Sequence, residues 1–481
     1  MRIVAPIFLF PTIIAFIYAE YDLLVAFLPI GFAVFAVGMA LSYFLKPKSN
    51  HVTAKEGFVI VSLSWVILSV IVACSYLITG QIEGGFINCL FEAVSGFSTT
   101  GATILEDVEV LSQSVNALRL VTHWVGGMGI LVLVLAVIPK NLDATTMNIF
   151  RAEVPGHQVE KFTTKINLTA KILYLIYIGM TFILAIAFII ARMPVFDSIV
   201  HAMSIAGTGG FSIKNASLGA YESVSIEVIA TVFMFLFGVN FNIFYLILIG
   251  KFTTAIKSEE LRVYVSMYVV TVLAMTLSLS VTKTYSGFGE ALRYASFEAA
   301  AISSTTGMTV SDFSTWPTLC QSIILILMFI GGSSGSTAGG LKLSRIMISL
   351  KYTKSQYSTA ARKNRVRTIL LEGERLEGET LKSTISYLLM YAVMVFVSFL
   401  LIAFLDGLLL PFSATMDFSE KTTAVISCLS NVGPAFGRLA VGSYNDFSSG
   451  SKLVLCFDML AGRLEILPML FLFNPYTWKK Q

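Results

Sequence analysis

Phe91-Glu92-Ala93-Val94-Ser95-Gly96-Phe97-Ser98-Thr99-Thr100-Gly101-Ala102-Thr103 decides how this 481-residue chain is read. The stretch is too short and too rich in small residues to cross a bilayer, yet apolar runs long enough to do so flank it. A close copy stands at Phe297-Glu298-Ala299-Ala300-Ala301-Ile302-Ser303-Ser304-Thr305-Thr306-Gly307-Met308-Thr309, and in both copies the acid precedes the aligned glycine by nine positions. Two weaker relatives keep the register, from His201 to Thr208-Gly209-Gly210-Phe211 and from Ala424 to Asn431-Val432-Gly433-Pro434. Four such segments predict re-entrant elements of a pore built from one unit used four times.

The composition has a physical reason. A cation crossing hydrocarbon needs oxygens in place of its water, and rings of backbone carbonyls supply them. Backbone that approaches a pore axis closely favours glycine, for its dihedral freedom and its missing Cβ. Non-helical backbone at membrane depth is tolerated where it lines such a cavity. The short helix before each glycine would turn its negative end toward the ion. The expected filter is therefore Thr99, Thr100 and Gly101, Thr208, Gly209 and Gly210, Thr305, Thr306 and Gly307, and Asn431, Val432 and Gly433, acting largely through carbonyls. Ordinary small-residue packing between helices is the competing reading, and four copies in one register argue against it.

Composition agrees. With 56% hydrophobic and 13% charged residues and a mean hydropathy of +0.80, the chain is not that of a soluble globular protein. The first apolar run, Ile3–Ala19, lacks a small-residue cleavage site and is followed at once by another, so no signal peptide is expected. The five cysteines lie far apart without a CxxC or Cys/His pattern, which indicates neither a disulfide framework nor zinc. No Walker-type loop, GxGxxG-plus-acid unit or catalytic triad appears, so neither nucleotide hydrolysis nor an organic cofactor is indicated. A polytopic membrane enzyme would need a polar catalytic set, and His123, His201, Arg463 and a few carboxylates form none.

The expected fold is an all-α polytopic membrane protein of ten spans. An N-terminal hairpin, residues 1–50, turns at Glu20-Tyr21-Asp22, and four units of helix, pore segment and helix follow. The units occupy residues 51–140, 141–256, 257–352 and 383–481, with a basic cytoplasmic loop at 353–382. Their second helices are read as Val115–Ile138, Ile226–Ile249, an overlong Cys320–Leu350 and Leu453–Phe473. The termini and the loops on their side hold 24 of the 33 Lys and Arg, whereas the opposite loops hold Arg192, Lys214, Lys283, Arg293, Lys421 and Arg438. That bias places both termini in the cytoplasm and the pore segments outside.

Beyond Gly101, Glu106, Asp107 and Glu109 stand without a neighbouring cation in sequence, either to concentrate cations or as a solvated loop. The basic loop, with Arg362, Lys363, Arg365 and Arg367, reads either as a partner's docking surface or as a topology signal against anionic headgroups. Its end, Thr368–Leu376, predicts a small hairpin turning at Gly373.

Two features interrupt the spans. Gly331, Gly332, Gly335, Gly339 and Gly340 fall within one helical run. Five glycines cost on the order of 5 kcal/mol of helix propensity relative to alanine. A straight helix over 320–350 would be about 46 Å long, against a hydrocarbon core of about 30 Å. The expectation is a mobile loop under the filter, and tight helix packing is the alternative. Arg463 lies midway through the last run, where a charge costs about 2.5–3.5 kcal/mol even on the milder scale. It is read as an electrostatic barrier or as half of a buried pair with Asp458 or Glu465.

Together these residues resemble the Trk/Ktr/HKT superfamily, most closely its bacterial TrkH branch. The likeness rests on the four glycines and on His123-Trp124-Val125-Gly126-Gly127-Met128-Gly129. It rests also on Arg151-Ala152-Glu153-Val154-Pro155-Gly156, Gly335-Ser336-Thr337-Ala338-Gly339-Gly340-Leu341-Lys342 and Gly462-Arg463-Leu464-Glu465. The resemblance implies potassium uptake across a bacterial inner membrane, with the glycine-rich interruption as an intramembrane gate and Arg463 obstructing the path. It implies a homodimer in the lipid bilayer and a cytosolic nucleotide-binding ring, TrkA-like, that controls opening. It implies no nucleic acid partner. Gly101, where sodium-favouring members carry serine, points to potassium. Coupled K⁺/Na⁺ or K⁺/H⁺ symport on the same scaffold is the alternative. Pro434 makes the fourth segment the least regular.

Overall fold

The computed structural model describes residues 5–44, 54–129, 166–361, 368–376, 378–411 and 415–478. The Arg151–Gly156 motif, the far end of the first unit's second helix and the cluster Arg362, Lys363, Arg365 and Arg367 lie outside them. A 3-10 turn and α1 (Leu9–Ile17) lead into α2 (Tyr21–Phe44). The first unit has α3 (Ala54–Thr79), a short α4 (Gly85–Phe97) and α5 (Gln113–Gly127). The second has α6 (Ile166–Ile190), short α7 (Val195–Ala206), α8 (Val224–Phe237) and α9 (Phe241–Leu248), then a single-turn helix α10 (Phe252–Lys257). The third has α11 (Glu259–Val281), short α12 (Phe288–Ser303), α13 (Thr318–Ile330) and α14 (Leu343–Ala361). Strands β1 (Leu370–Leu371) and β2 (Glu374–Arg375) precede the fourth unit, α15 (Gly378–Leu409), short α16 (Phe418–Ser430), α17 (Ser449–Arg463) and α18 (Leu467–Phe473). A final turn of helix, α19, covers Pro475–Trp478.

Among the described residues, five helices are long and apolar enough to cross a membrane, α2, α3, α6, α11 and α15, the hydropathic stretches of α3 and α6 beginning at Lys55 and Lys171, and the bent pair α8 and α9 together would make a sixth. Their outward faces are hydrocarbon-like: Leu389, Val393, Phe396, Leu400, Phe404 and Leu408 form one exposed stripe along α15, as a helix in lipid requires. The described part of the first apolar run, Ala5–Ile17, is shorter than those spans. The chain reverses two residues earlier than the sequence suggested, at Tyr18–Glu20, with Ala19 at φ 57°. The two strands pair antiparallel about Glu372-Gly373, where the sequence placed the turn. Both turn residues have positive φ, 53° and 80°, the geometry of a tight hairpin turn.

Packing positions the short helices. Each lies against the first helix of its own unit, α3 on α4, α6 on α7, α11 on α12 and α15 on α16. Each second helix also packs on the next short helix: α5 on α7, α8 on α12, α13 on α16, and α17 back on α4. The circle closes. The largest apolar core joins the N-terminal hairpin to the first and fourth units through residues such as Phe27, Trp65, Phe91 and Leu455.

The second helices break. Three of the runs read as continuous end early: α5 at Gly127, α8 at Phe237 and α17 at Arg463. The predicted interruption in the third spans residues 331–342. In the second, α8 and α9 meet at 93°, across Gly238-Val239-Asn240, which the sequence reading passed over. In the fourth, Glu465 and Ile466 take φ of 61° and 63°, a conformation costly for a β-branched residue.

The N-terminal hairpin is anchored by one carboxylate. Glu20 accepts the backbone N–H groups of Gln113 at 2.8 Å and Ser114 at 3.1 Å, donors that the start of α5 leaves unpaired. Glu20→Ala is expected to cost about 1–2 kcal/mol and to lower the thermal midpoint in detergent. Glu20→Gln, which still accepts, should lose less. An unchanged midpoint in both would remove the anchor.

Candidate functional site

All four short helices end alike. The N–H groups of Thr100, Gly209, Thr306 and Val432 bond back to the carbonyls of Ser95, Ser204, Ala301 and Ser427 at 3.0, 3.0, 2.8 and 2.9 Å. This is the closure of a helix whose next residue is left-handed. That residue is Thr99, Thr208, Thr305 or Asn431, at φ 55°, 54°, 56° and 56°. Two positions on, Gly101, Gly210, Gly307 and Gly433 have φ of 82°, 82°, 66° and 101°. Asparagine accepts the left-handed region readily, but threonine is strained there by about 1–3 kcal/mol. The sequence reading missed this strain, although Asn431 aligned with three threonines was its visible trace.

The glycines face the neighbouring segment's backbone. A Cβ on Gly101 would strike the carbonyl oxygen of Gly209, one on Gly210 that of Thr306, and one on Gly307 that of Val432. One on Gly433 would strike the carbonyl of Thr100. The four segments thus touch head to tail in a closed ring. Among the described residues, no protein donor bonds the carbonyls of 99–101, 208–210, 305–307, 431 or 432. The exception at the top of the ring is Gly433, whose carbonyl accepts the Tyr444 hydroxyl at 2.7 Å. No group of His, Cys, Asp or Glu among the described residues is arranged to hold a metal.

Above the ring opens a cavity of about 120 Å³ lined by the four glycines, Glu106, Asn215, Tyr444 and their neighbours. The acids beyond Gly101 are not unaccompanied. Lys214 bonds Glu109 at 2.8 Å, and Asn215 donates to Asp107 at 2.8 Å. These partners come from the second unit, distant in sequence. The Asn215 hydrogen bond lowers the Asp107 pKa, and the Lys214 bond lowers that of Glu109. Both therefore keep their charge further into acid than free carboxylates do.

Below the ring the broken helices meet. Gly339 N donates to Thr305 Oγ1 at 2.6 Å, which places the 331–342 segment directly against the strand that leaves the third short helix. A Cβ on Gly339 would strike the carbonyl of Ser430. Gly331 and Gly340 lie against each other in this segment, and Gly332 and Gly335 bond on through their carbonyls, to Leu343 N and Phe241 N, each at 3.0 Å. The Arg463 guanidinium donates to the carbonyl of Thr337 at 2.8 Å and to the carbonyls of Gly126 and Gly127. Its expected carboxylate partners are engaged elsewhere. Asp458 accepts from Ser398 at 2.7 Å, and Glu465 pairs with Arg345 at 2.6 Å. Glu465 lies beyond the helix end at Arg463, and Asp458, five residues back on the same helix, sits about 140° around its axis.

The sequence family described as TrkH, cation transport protein, matches residues 25–479. The chain belongs to that family. It is 31% identical over 457 residues to the Trk system potassium uptake protein TrkH of Salmonella typhimurium, covering 95% of this chain and 92% of that protein. The Vibrio parahaemolyticus TrkH is 32% identical over 98% of this chain and 95% of its own length. The crystal structure of the potassium transporter TrkH from Vibrio parahaemolyticus superposes with a TM-score of 0.85 at 30% identity, covering 99% of this chain and 98% of that one. These relatives are transporters, and this TrkH-family chain is not an enzyme.

One buried pair in this TrkH-family chain escaped the sequence reading. Arg119 and Glu92 meet at 2.7 Å, 1% and 0% exposed. Glu92 also accepts from Thr103 Oγ1 at 3.0 Å and Ile104 N at 3.1 Å, so it ties the strand that leaves the first short helix back to that helix. Arg119 reaches the Ser212 carbonyl of the second unit at 3.3 Å and stacks on Phe211. Removing one partner of a buried pair costs about 3–5 kcal/mol. Arg119→Met should lower the melting temperature strongly, and Glu92→Gln added to it should recover part of the loss. Additive losses in that double-mutant cycle would reject the pairing.

Proposed function

We propose that this chain carries potassium inward across a bacterial plasma membrane through a gated, channel-like pore. Its axis runs through the ring of Gly101, Gly210, Gly307 and Gly433. The ring of carbonyls without protein donors carries this reading: it offers a dehydrated cation a full set of oxygens. The relatives' names, potassium uptake proteins of a Trk system, supply the ion. On this reading four pseudo-repeated units surround one pore, within the boundaries set out above, in a ten-span chain. The positive-inside bias puts both termini in the cytoplasm. Gly331, Gly332, Gly335, Gly339 and Gly340 form the gate with Arg463, and a cytosolic TrkA-like nucleotide-binding ring controls it in a homodimeric assembly.

Passive entry is energetically sufficient. A membrane potential supplies about 2.3 kcal/mol per 100 mV for each cation. At 1.4 kcal/mol per tenfold ratio, about 150 mV sustains roughly a 300-fold gradient. Coupled symport on the same scaffold is the competing reading. Flux in proteoliposomes at controlled voltage separates them: a reversal potential that follows potassium alone supports the channel, and a shift with sodium or proton gradients supports coupling.

Gly101→Ser should weaken selection for potassium over sodium, because its Cβ collides with the Gly209 carbonyl in the ring. Unchanged relative permeability in a well-folded mutant would count against the filter.

Arg463 should lower cation flux. At an effective dielectric of about 20, a unit charge about 8 Å from the ion costs about 2 kcal/mol, a roughly thirtyfold slowing. Arg463→Ala should raise flux per folded protein, whereas Arg463→Lys, which keeps the charge, should change it little. Lower flux with a lowered melting temperature in Arg463→Ala would mean that its three carbonyl bonds matter only to folding.

A further inference from the structure

The hairpin at Leu370–Arg375 and the start of α11 are bonded in both directions, the Glu372 N–H donating to the Glu259 carboxylate at 3.4 Å. Glu372 accepts from Ser258 Oγ at 2.8 Å, Glu259 N at 3.0 Å and Glu260 N at 3.0 Å. It thus fills the unpaired donors of that helix's first turn. Lys351 of α14 clasps the same corner, bonding Glu259 at 2.5 Å and the Leu370 carbonyl at 2.8 Å. The adjacent residue, Glu260, is 3% exposed and turns inward. Its carboxylate accepts the Ser334 N–H of the glycine-rich segment at 2.7 Å and lies 3.5 Å from Asn240 Nδ2 at the second unit's break. Asn240 begins α9, and neighbouring Phe241 N donates to the Gly335 carbonyl at 3.0 Å.

One continuous line of hydrogen bonds therefore runs from the hairpin tip, through the first turn of α11, to the segment beneath the filter. Its two carboxylates grip consecutive backbone, Glu372 holding Glu260 N and Glu260 holding Ser334 N. We propose that Glu260 is the positioning residue of the glycine-rich segment and that Glu372 sets the position of Glu260. A displacement of the hairpin is thereby transmitted to the segment. The transport consequence rests on reading that segment as the gate; the mechanical coupling does not.

The test compares hydrogen–deuterium exchange across residues 331–342 in the full chain in lipid nanodiscs. Glu372→Ala should quicken exchange at Ser334 about tenfold, the scale of a lost helix cap, although Glu372 does not touch that residue. Glu372→Gln, which keeps an acceptor, should lie between. Glu260→Ala should quicken the same amide, and Glu260→Ala with Glu372→Ala should be no faster there than Glu260→Ala alone. Faster exchange confined to 258–262 and 369–376, or additive effects at Ser334, would overturn the proposal. Potassium flux in proteoliposomes should change in Glu372→Ala with an unaltered potassium-to-sodium ratio. Faster exchange at Ser334 with unaltered flux would uphold the coupling and remove the gate from this segment.

Discussion

Gly101, Gly210, Gly307 and Gly433 each lie so close to the next segment's carbonyl that no side-chain atom fits between them. The rest of the structure depends on that contact. It repeats four times and closes on itself, so the position of each strand is set by the backbone of its neighbour. The approach requires the chain to leave each short helix abruptly, and the left-handed residue after the helix supplies the turn. Three of those residues are threonines, strained where asparagine would be relaxed. Burial on all sides by the circle of helices is what makes such backbone affordable.

The second constraint acts below the ring. A helix that ran straight through would bury its own backbone groups, whereas a broken one at membrane depth must find them partners. The breaks satisfy one another. Ser333 N donates to the Gly238 carbonyl and Phe241 N to the Gly335 carbonyl, each at 3.0 Å, and Thr337 Oγ1 donates to the Phe237 carbonyl at 3.2 Å. Arg463 takes up three more carbonyls, from the first and third units. The cost of a charge in this setting is offset by acceptors that the interrupted helices expose.

Much of this was legible in the sequence for physical reasons. Register-locked Thr/Asn-X-Gly segments betray a repeated backbone requirement, and the glycine-rich run in a helix too long for a bilayer betrays a break. The Glu372-Gly373 turn is local chemistry. What stayed hidden depends on long-range assembly. The bend at Gly238–Asn240 carries a single glycine inside an apolar pattern that suits a straight helix equally well. Among the described residues Arg463 bonds to carbonyls, which every sequence supplies everywhere, while the nearby acids that looked suitable bond to Ser398 and Arg345. Lys214 meets Glu109 only because the two filter loops are brought together.

The position nine residues before each glycine shows how far the fourfold likeness reaches. In the first unit Glu92 ties down the outgoing strand through Thr103 and Ile104. In the second, His201 Nδ1 lies 2.8 Å from the Asp197 carbonyl and must donate to it, since a carbonyl only accepts. Nε2 of the neutral ring then accepts, and the Ser212 hydroxyl donates across 2.9 Å. In the fourth, the position is Ala424, and Thr423 Oγ1 instead accepts from Phe436 N at 3.0 Å. In the third, both Glu298 oxygens are buried without a donor among the described residues. That strand is held above by Thr309 N, which donates to Ser217 Oγ at 3.4 Å, and from beneath by Gly339 N on Thr305 Oγ1. The side-chain fastenings therefore differ at every unit while the glycine-to-carbonyl contact does not, so the ring's symmetry comes from glycine packing.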